Sequence, residues 1–369
     1  MSEPDASAVP HDHAHLRVDL SALAANYLHY TRLSKTAETA AVVKADAYGM
    51  GLSEAAPALY EAGCRTFFVA QAKEGAALRD ILSAVDQAAV IYVMNGYLDG
   101  TSGFFQNHTL RPCLGSLEEI DAWTSAGGGP AGLHVDTGFN RLGLPLADLS
   151  TLPESFRPSL LMSHLACADE PEHPMNARQL AAFAATRQHF PDVTASLANS
   201  AGALIGADYH HDMIRVGIGL YGGSPTKDGT TAGRAVTTLR APVLQVRTVK
   251  PGESIGYGAT FIPAAEMRIA VLGIGYADGF PRLLGRGDQD TDFAHVAFGN
   301  QICPLVGRVS MDLLAVDISG LDADIQRGDM AEIFGTVIPL DAVAQQAGTI
   351  SYEILTQLGS RYKRVYHAA

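Results

Sequence analysis

The stretch AAVVKADAYGMGLSEAAPALYEAGCRTFFVA, residues 40–70, contains the pattern that decides the fold. Two short runs, Ala40–Lys44 and Thr66–Ala70, have the length and apolar character of strands buried on both faces of a parallel sheet. Between them, Ser53–Glu61 carries Ala, Leu and Glu at helical spacing. A strand, a helix and a second strand in this order predict a βαβ unit with parallel strands.

The same unit recurs about eight times along the first two thirds of the chain. The predicted strands are Ala40–Lys44, Thr66–Ala70, Ala88–Met94, Leu110–Cys113, Gly132–Asp136, Ser159–Leu165, Thr194–Ala198 and Met213–Ile218. The predicted helical segments between them are Ser53–Glu61, Lys73–Leu82, Leu117–Ala126, Asn176–Phe190 and Ser200–Gly206. Eight such units in about 220 residues indicate the α/β class and predict a (β/α)8 TIM barrel. Periodicity alone also fits a doubly wound sheet.

The sequence after Thr238 has a different pattern. From Arg240 to Glu332, short alternating runs are separated by frequent Gly and Pro residues, which is typical of a mostly β domain. The polar segment 229–238 is predicted to link the two parts. We therefore expect a flexible N-terminal arm over residues 1–15, the barrel over residues 16–238, and a C-terminal β domain over residues 239–369.

The composition excludes several classes of protein. The 369 residues are 47% hydrophobic and 18% charged, which is too apolar for a disordered chain. The net charge is −13 and basic residues are not clustered, so nucleic acid is not an expected partner. Four cysteines without CxxC spacing are expected to be buried thiols, and no metal site is predicted.

The N-terminus, MSEPDASAVPHDHAHL, lacks the basic and apolar regions of a signal peptide. No run of about 18 apolar residues follows it. We therefore expect a cytoplasmic protein with no membrane contact.

Lys44 ends the first predicted barrel strand and precedes a loop. This position lies at the carboxyl end of the strand, where barrel enzymes keep their active sites. A buried lysine with a lowered pKa forms Schiff bases readily. An isolated lysine at a strand end also fits a side chain that only extends its amine to water.

Lys44 is not isolated, because AVVKADAYGMGL (41–52) resembles the pyridoxal-phosphate lysine motif of the alanine racemase family. Further motifs follow in the family's order: HVDTGFNRLGL (134–144), SHLACADEP (163–171), LANSAG (197–202), IRVGIGLYG (214–222), GYGATF (256–261), GYADGFPR (275–282), GRVSMD (307–312) and ISYEILTQLGSRYKRVY (350–366). The resemblance covers nearly the whole chain from Leu16. It implies a barrel that binds pyridoxal 5'-phosphate, a following β domain, and a homodimer whose active sites are shared between subunits.

The resemblance also implies the cofactor site. Backbone N–H groups and hydroxyls near the last two strands would hold the phosphate, and the matching residues are Tyr48, Ser200, Gly217, Ile218 and Tyr352. Arg215 matches the arginine that faces the pyridine nitrogen, and His164 matches the histidine beside it. A charged donor cannot accept the ring proton, so the ring is expected to be a weaker electron sink. Without the motifs, Arg215 also fits an ion pair at the barrel rim and His164 a core histidine.

Racemisation needs a base on each face of the substrate's α-carbon. The resemblance implies Lys44 as one base and Tyr257, from the neighbouring subunit's β domain, as the other. A free tyrosine has a pKa of about 10, so Tyr257 needs cations nearby to act at neutral pH. The pair Arg215 and His164 is the expected source. Without the resemblance, Tyr257 between two glycines would be a hairpin aromatic.

Arg141 resembles the family's arginine that holds the substrate carboxylate and the cofactor phenolate, for which its planar fork is suited. Met311 and Asp312 match positions where a backbone N–H reaches that carboxylate. The entrance to the site is expected to be lined by Tyr276, Arg282 and Arg308.

Three residues depart from the family's pattern. Residue 134 is His, where many relatives carry a carbamylated lysine that positions the arginine. Support for Arg141 is therefore expected from His134 itself or from a bound chloride. Asp46 and Met50 replace an Asn and a His of the lysine motif, and we expect both to tune its activity.

The resemblance predicts an alanine racemase that interconverts L-alanine and D-alanine on the cofactor's aldimine, supplying D-alanine for peptidoglycan or degrading it. One alternative is a racemase for serine, for basic amino acids or for a broader set, which pocket width would decide. A decarboxylase would need an acidic partner for the ring nitrogen in place of Arg215. A metal-dependent aldolase would need a ligand cluster near the C-terminus, where only His367 stands. A non-catalytic pyridoxal-phosphate carrier would end with the barrel.

Overall fold

The computed structural model describes residues 14–84, 88–229, 233–285 and 294–368. Two compact units are present, a barrel unit over Leu20–Arg234 and a β unit that combines the chain up to Asp19 with the chain from Ala235 onward. The predicted arm, residues 1–15, lies outside the described residues except for Ala14 and His15. The predicted linker, residues 229–238, includes residues 230–232, which also lie outside them.

The strands, in chain order, are β1 (His15–Asp19), β2 (Glu38–Val42), β3 (Thr66–Val69), β4 (Val90–Val93), β5 (Arg111–Leu114), β6 (Gly132–Asp136), β7 (Leu144–Pro145), β8 (Leu160–Met162), β9 (Ala195–Ser196), β10 (Met213–Val216), β11 (Thr237–Val249), β12 (Met267–Leu272), β13 (His295–Phe298), β14 (Gln301–Val306), β15 (Leu314–Asp317), β16 (Met330–Phe334) and β17 (Lys363–His367). The helices of the barrel unit are Leu20–Ser34, Leu52–Glu61, Ala72–Leu82, Ser102–Asn107, Leu117–Ser125, Pro174–Arg187 and Gly202–Ile205, and those of the β unit are Leu340–Gln346 and Ser351–Thr356.

Eight parallel strands form the centre of the barrel unit. They pair in the order β10, β2, β3, β4, β5, β6, β8, β9. The backbone N–H groups of Asp212 and Arg215 donate to the carbonyls of Ala195 and Ala198 at 3.0 and 2.9 Å, which joins β9 to β10. The predicted (β/α)8 barrel is therefore confirmed, and the doubly wound sheet, which would stay open at its edges, is excluded.

Local sequence signals fix the helices around this barrel. Ser116 accepts the Glu119 N–H at 3.2 Å and so begins the helix Leu117–Ser125. At the start of Ala72–Leu82, the Glu74 carboxylate accepts the N–H of Gln71 at 3.0 Å. Strands such as β3 and β10 are buried along their whole length, as expected for a sheet covered by helices.

The β unit contains an eight-stranded sheet in the order β12, β15, β14, β13, β16, β11, β1, β17. Strand β12 also pairs with β11, so the six strands from β12 to β11 form a closed ring. Its apolar core includes Val249, Ile255, Phe261, Ile269 and Val306. The predicted mostly β domain is confirmed.

The structure corrects the sequence-based boundary at residue 16. Strand β1 pairs antiparallel with β11 and parallel with β17, so this segment belongs to the β unit. Leu16 and Val18 are fully buried there, while Arg17 between them is exposed. One buried face on a sheet of mixed direction produces this alternation.

Two further sequence-based expectations concern cysteines and membranes. All four cysteines are free, and Cys64, Cys113 and Cys303 are buried as expected, but Cys167 is partly exposed. Among the described residues, no helix combines the length and apolar character needed to cross a membrane.

Candidate active site

The residues assigned to the cofactor in the barrel unit lie where its strands end. Lys44 follows β2, His164 follows β8, Ser200 follows β9, and Arg215 and Gly217 lie at the end of β10. The carboxyl ends of parallel barrel strands meet at one face, which is where barrel enzymes bind their substrates. The fold therefore brings these five predicted residues to the same end of the barrel.

A left-handed turn directly follows Lys44. The four consecutive residues Ala45–Tyr48 have φ between 53° and 57°. This conformation costs L-residues about 1–2 kcal/mol each, so neighbouring contacts must hold it. The Glu74 carboxylate accepts the Ala45 N–H at 2.7 Å, and Asp46 Oδ1 accepts the Leu52 N–H at 2.7 Å. These bonds fix the backbone on the carboxyl side of Lys44.

The surroundings of Lys44 favour its neutral amine. Burial lowers the pKa of Lys44, and the positive charge of Arg141 lowers it further, while Glu74 acts in the opposite direction. Since a neutral amine is the form that attacks a carbonyl or takes a proton, Lys44 is suited to both tasks.

Arg215 is buried at the centre of this end of the barrel, with 2% of its surface exposed. Its Nη1 donates to the carbonyl and hydroxyl of Ser196 at 2.8 and 2.7 Å. Its Nη2 donates to the Ser163 carbonyl at 2.6 Å and to His164 Nδ1 at 3.3 Å. Burial lowers the pKa of Arg215 to about 10, so it stays charged at neutral pH. Its acceptors are neutral, which excludes an ion pair at the barrel rim.

The two histidines beside Arg215 are neutral. His164 accepts from Arg215 through an unprotonated Nδ1, and burial together with the charge of Arg215 holds the pKa of His164 well below its usual value. Burial lowers the pKa of His134 to about 4. The expectation that His164 and Arg215 together supply positive charge is therefore wrong for His164.

An oxyanion cradle lies between the last two barrel strands. Ser200 Oγ accepts the N–H groups of Gly217 and Gly219 at 2.9 and 3.3 Å. A Cβ added at Gly217 would lie 2.4 Å from the hydroxyl of Tyr48, so only glycine allows that approach. Ile218 begins the short 3-10 turn that continues the cradle. Convergent hydroxyl and backbone donors of this kind fit a phosphate.

Tyr221 supports this cradle, and the sequence analysis did not single it out. Its ring stacks on that of Tyr48 with centroids 4.6 Å apart, and its hydroxyl donates to the Val42 carbonyl at 3.0 Å. The only sequence signal for it was its place within IRVGIGLYG, three residues after Ile218.

The Arg141 loop follows β6 and is fixed by one carboxylate. Asp136 accepts the N–H groups of Gly138 and Phe139 at 2.8 Å each, and that of Asn140 at 3.0 Å. The Arg141 guanidinium lies 4.2 Å from the centroid of the Phe139 ring. The predicted substrate arginine therefore extends from a tightly hydrogen-bonded loop.

The predicted second base, Tyr257, lies in the β unit. It starts a short 3-10 turn between Gly256 and Gly258, both with positive φ, and is 70% exposed. A Cβ at Gly258 would lie 3.1 Å from Arg308 Nη1, so Arg308 approaches this turn closely. The β unit thus places Arg308 and the segment of Tyr257 side by side.

The loops of Tyr276 and Met311 are joined within the β unit. Tyr276 donates its N–H to the Ser310 carbonyl at 3.1 Å, and Ala277 donates to the Met311 carbonyl at 2.9 Å. Tyr276 is 40% and Met311 53% exposed.

Arg361, which the sequence analysis did not single out, links these loops further. It donates to Asp312 at 2.8 Å and lies 3.3 Å from the carboxylate of Asp278. Arg282 lies exposed in the turn Arg282–Leu284, and Tyr352 lies in the helix Ser351–Thr356.

The donor set of the barrel unit suits an anionic cofactor. Lys44, Arg141 and Arg215 form no ion pair with a carboxylate in the described part of the barrel. Their charges and the cradle at Gly217 fit a phosphate-bearing aldehyde such as pyridoxal 5'-phosphate. No cluster of three or more metal-ligating side chains occurs among residues 14–84, 88–229, 233–285 and 294–368.

Comparison with known proteins identifies the family. Residues 18–225 match the alanine racemase N-terminal domain, and residues 236–366 match the alanine racemase C-terminal domain. The chain belongs to the alanine racemase family.

Similar family members match along the whole chain. The alanine racemase of Rhodospirillum rubrum is 45% identical over 364 residues, covering 95% of each chain. The biosynthetic alanine racemase of Agrobacterium fabrum is 43% identical, covering 100% of this chain and 98% of the relative. The structure of the Bartonella henselae alanine racemase with covalently bound pyridoxal phosphate superposes with a TM-score of 0.88 at 38% identity, covering 96% and 99% of the two chains.

The resemblance to the alanine racemase family and the predicted fold are thus confirmed. The protein is an isomerase of the amino-acid racemase type, and its cofactor is pyridoxal 5'-phosphate. Since the match continues through the second domain, a carrier that ends with the barrel is excluded.

Proposed function

We propose that this protein interconverts L-alanine and D-alanine with two opposed bases, and that it supplies D-alanine for peptidoglycan. The observation that carries the proposal is the environment of Lys44. A lysine with a lowered pKa stands at the barrel end where the buried cation Arg215 and the phosphate cradle also lie.

Each barrel residue has a part in holding the cofactor. Lys44 Nζ would bind its aldehyde carbon, and the cradle of Tyr48, Ser200, Gly217 and Ile218, with Tyr352, would hold its phosphate. Arg215 would donate to its ring nitrogen, with His164 supporting Arg215 from the side. When bound, the cofactor supplies an electron sink for the bond that breaks at the α-carbon. Because Arg215 has donors and no acceptor, that sink stays weak and side reactions are suppressed.

Proton transfer is assigned to two side chains. Lys44 Nζ takes or returns the α-proton on one face, and the hydroxyl of Tyr257 does so on the other face. We propose that this tyrosine comes from the partner subunit of a homodimer, since its side chain is 70% exposed on its own chain. Arg141, with backbone N–H groups at Met311 and Asp312, would hold the substrate carboxylate. Tyr276, Arg282 and Arg308 would line the entrance.

We further propose that the dimer resides in the cytoplasm. Four free cysteines support this location, because exported proteins more often pair theirs.

The experiment is an α-proton exchange assay in deuterated water. The wild-type protein should exchange and racemise both enantiomers of alanine faster than those of serine, lysine and arginine. Tyr257→Ala should retain bound cofactor and lose exchange of L-alanine, yet keep part of the exchange of D-alanine through Lys44. The conservative variant Tyr257→Phe should behave in the same way, because it also lacks the hydroxyl.

Equal loss for both enantiomers, or no loss, would contradict two opposed bases. Preference for a substrate other than alanine in the wild type would instead show a racemase of different specificity.

A further inference from the structure

The support of Arg141 is the open question of this site. The sequence analysis expected this support from His134 or from a bound chloride. With a pKa of about 4, His134 carries no charge at neutral pH and cannot stand in for an anion. Within the described part of the barrel, no acceptor forms a hydrogen bond with the Arg141 guanidinium.

The group that does contact Arg141 is the ring of Phe139. The Cζ atom of Arg141 lies 4.2 Å from the ring centroid, within the range of a cation–π interaction. The negative face of an aromatic ring attracts a guanidinium and leaves its N–H edges free. A guanidinium held by its face can still direct its N–H groups at a carboxylate.

The backbone and the neighbours of Phe139 fix its ring in place. The Asp136 carboxylate accepts the N–H of Phe139 itself, as well as those of the residues on either side. On another side, the His164 imidazole lies 5.5 Å from the Phe139 centroid at an interplanar angle of 60°. His164 is in turn bound to the buried Arg215. The backbone of Phe139 is therefore held by hydrogen bonds, and its ring packs on a histidine that is itself held by Arg215.

We propose that Phe139 is a positioning residue that holds the Arg141 guanidinium by a cation–π contact and so orients it toward the substrate carboxylate. Phe139 thereby gives the support that the sequence analysis expected from His134 or a bound chloride. The proposal rests on the proposed role of Arg141, and it needs neither a charged His134 nor a bound chloride.

The test compares the kinetic constants of variants that have an aromatic or an aliphatic side chain at residue 139. Phe139→Leu and Phe139→Met keep apolar volume and remove the π face, whereas Phe139→Tyr keeps it. Since Arg141 would bind the carboxylate both before and during the reaction, KM for alanine should rise about three- to tenfold in the Leu and Met variants, with kcat changed less than about twofold. Phe139→Tyr should stay within about twofold of the wild type in both constants.

A second readout does not depend on turnover. Propionate has the carboxylate and methyl group of alanine without the amine, and its Kd can be measured from the change in cofactor absorbance. This Kd should rise by the same factor as KM in the Leu and Met variants and stay unchanged in Phe139→Tyr. Tyr60→Leu is the matched control. Tyr60 lies on the helix Leu52–Glu61, and its ring centroid is 4.0 Å from the Arg65 guanidinium, so this variant removes a cation–π contact elsewhere. It should change neither the KM for alanine nor the Kd of propionate.

Three results would overturn the proposal. They are an unchanged propionate Kd in the Leu and Met variants, an equal rise in the Tyr variant, and a fall in kcat alone. The last would mean that Phe139 acts through His164 and Arg215. Lack of racemisation by the wild-type protein would instead contradict the proposed function, so the two failures are distinguishable.

Discussion

At the scale of single residues, the carboxyl end of the barrel strands brings together cationic side chains that form no ion pair with a carboxylate among the described barrel residues. Arg215 donates to serine oxygens and to a neutral imidazole, and Lys44 has a lowered pKa. The positive charges of Arg141 and Arg215 therefore make this end of the barrel complementary to an anion. Arg141, which we propose to hold the substrate carboxylate, is also the residue whose charge lowers the pKa of Lys44.

The buried His134 gives a prediction for stability against pH. Its pKa is about 4 in the folded protein, against about 6.5 in an unfolded chain. Between these values only the unfolded chain binds the proton, so the free energy of unfolding falls as pH falls from 6.5 to 4, by up to about 3 kcal/mol for this residue. His134→Gln should reduce that slope by a corresponding amount.

The measurement is urea unfolding of the cofactor-free protein, followed by circular dichroism at several pH values between 4 and 7. His367→Gln, at an exposed position, should leave the slope of the wild type unchanged. If His134→Gln kept the full pH slope of the wild type, the neutral state assigned to this histidine would be incorrect.

The protonation states of the site residues could not be predicted from the sequence. The motifs gave the positions of Lys44, Arg215 and His164, but burial and the approach of Arg215 to His164 decide that the imidazole is neutral. Tyr221 and Arg361 also escaped prediction, since their contacts join segments that are distant in the sequence.

At the scale of elements, the left-handed turn Ala45–Tyr48 is the least expected feature. Its residues include no glycine, so local propensity predicts no positive φ there. Tertiary contacts create it, above all the Glu74 carboxylate. Glu74 accepts the Ala45 N–H, and also those of Ala70 and Gln71 at 2.9 and 3.0 Å.

We predict that Glu74→Gln lowers the free energy of unfolding by about 1–3 kcal/mol. The amide has one acceptor oxygen where the carboxylate has two, so at least one of three backbone donors loses its partner. Chemical unfolding of the cofactor-free protein measures the loss. Glu61→Gln, at the exposed end of a helix, should cost less than about 0.5 kcal/mol. Equal stability of the two variants would show that Glu74 does not hold the turn.

The barrel strands were predictable because each is a continuous apolar run between polar loops. Strands β13 and β17 were not predicted. Strand β17 is polar and partly exposed along its length, so it lacks the apolar run that marked the barrel strands. Strand β1 was not predicted either, and it pairs with a strand at the distant end of the chain, which no local pattern indicates.

At the scale of the whole molecule, the two proposed bases belong to different units. Lys44 lies in the barrel unit and Tyr257 in the β unit. The sequence placed Tyr257 only through its motif, because the residues around it carry no periodicity that points to a site. In the proposed dimer, each active site combines Lys44 of one subunit with Tyr257 of the other.

The most direct test mixes Lys44→Ala and Tyr257→Ala subunits, each inactive in alanine racemisation alone. If each site pairs Lys44 of one subunit with Tyr257 of the other, a heterodimer contains one intact site and one doubly altered site. Random exchange should then restore about a quarter of the wild-type activity, since half of the dimers are mixed. Exchange should be followed independently with differently tagged subunits. Demonstrated exchange without recovery of activity would contradict the shared site and the two-base account built on it.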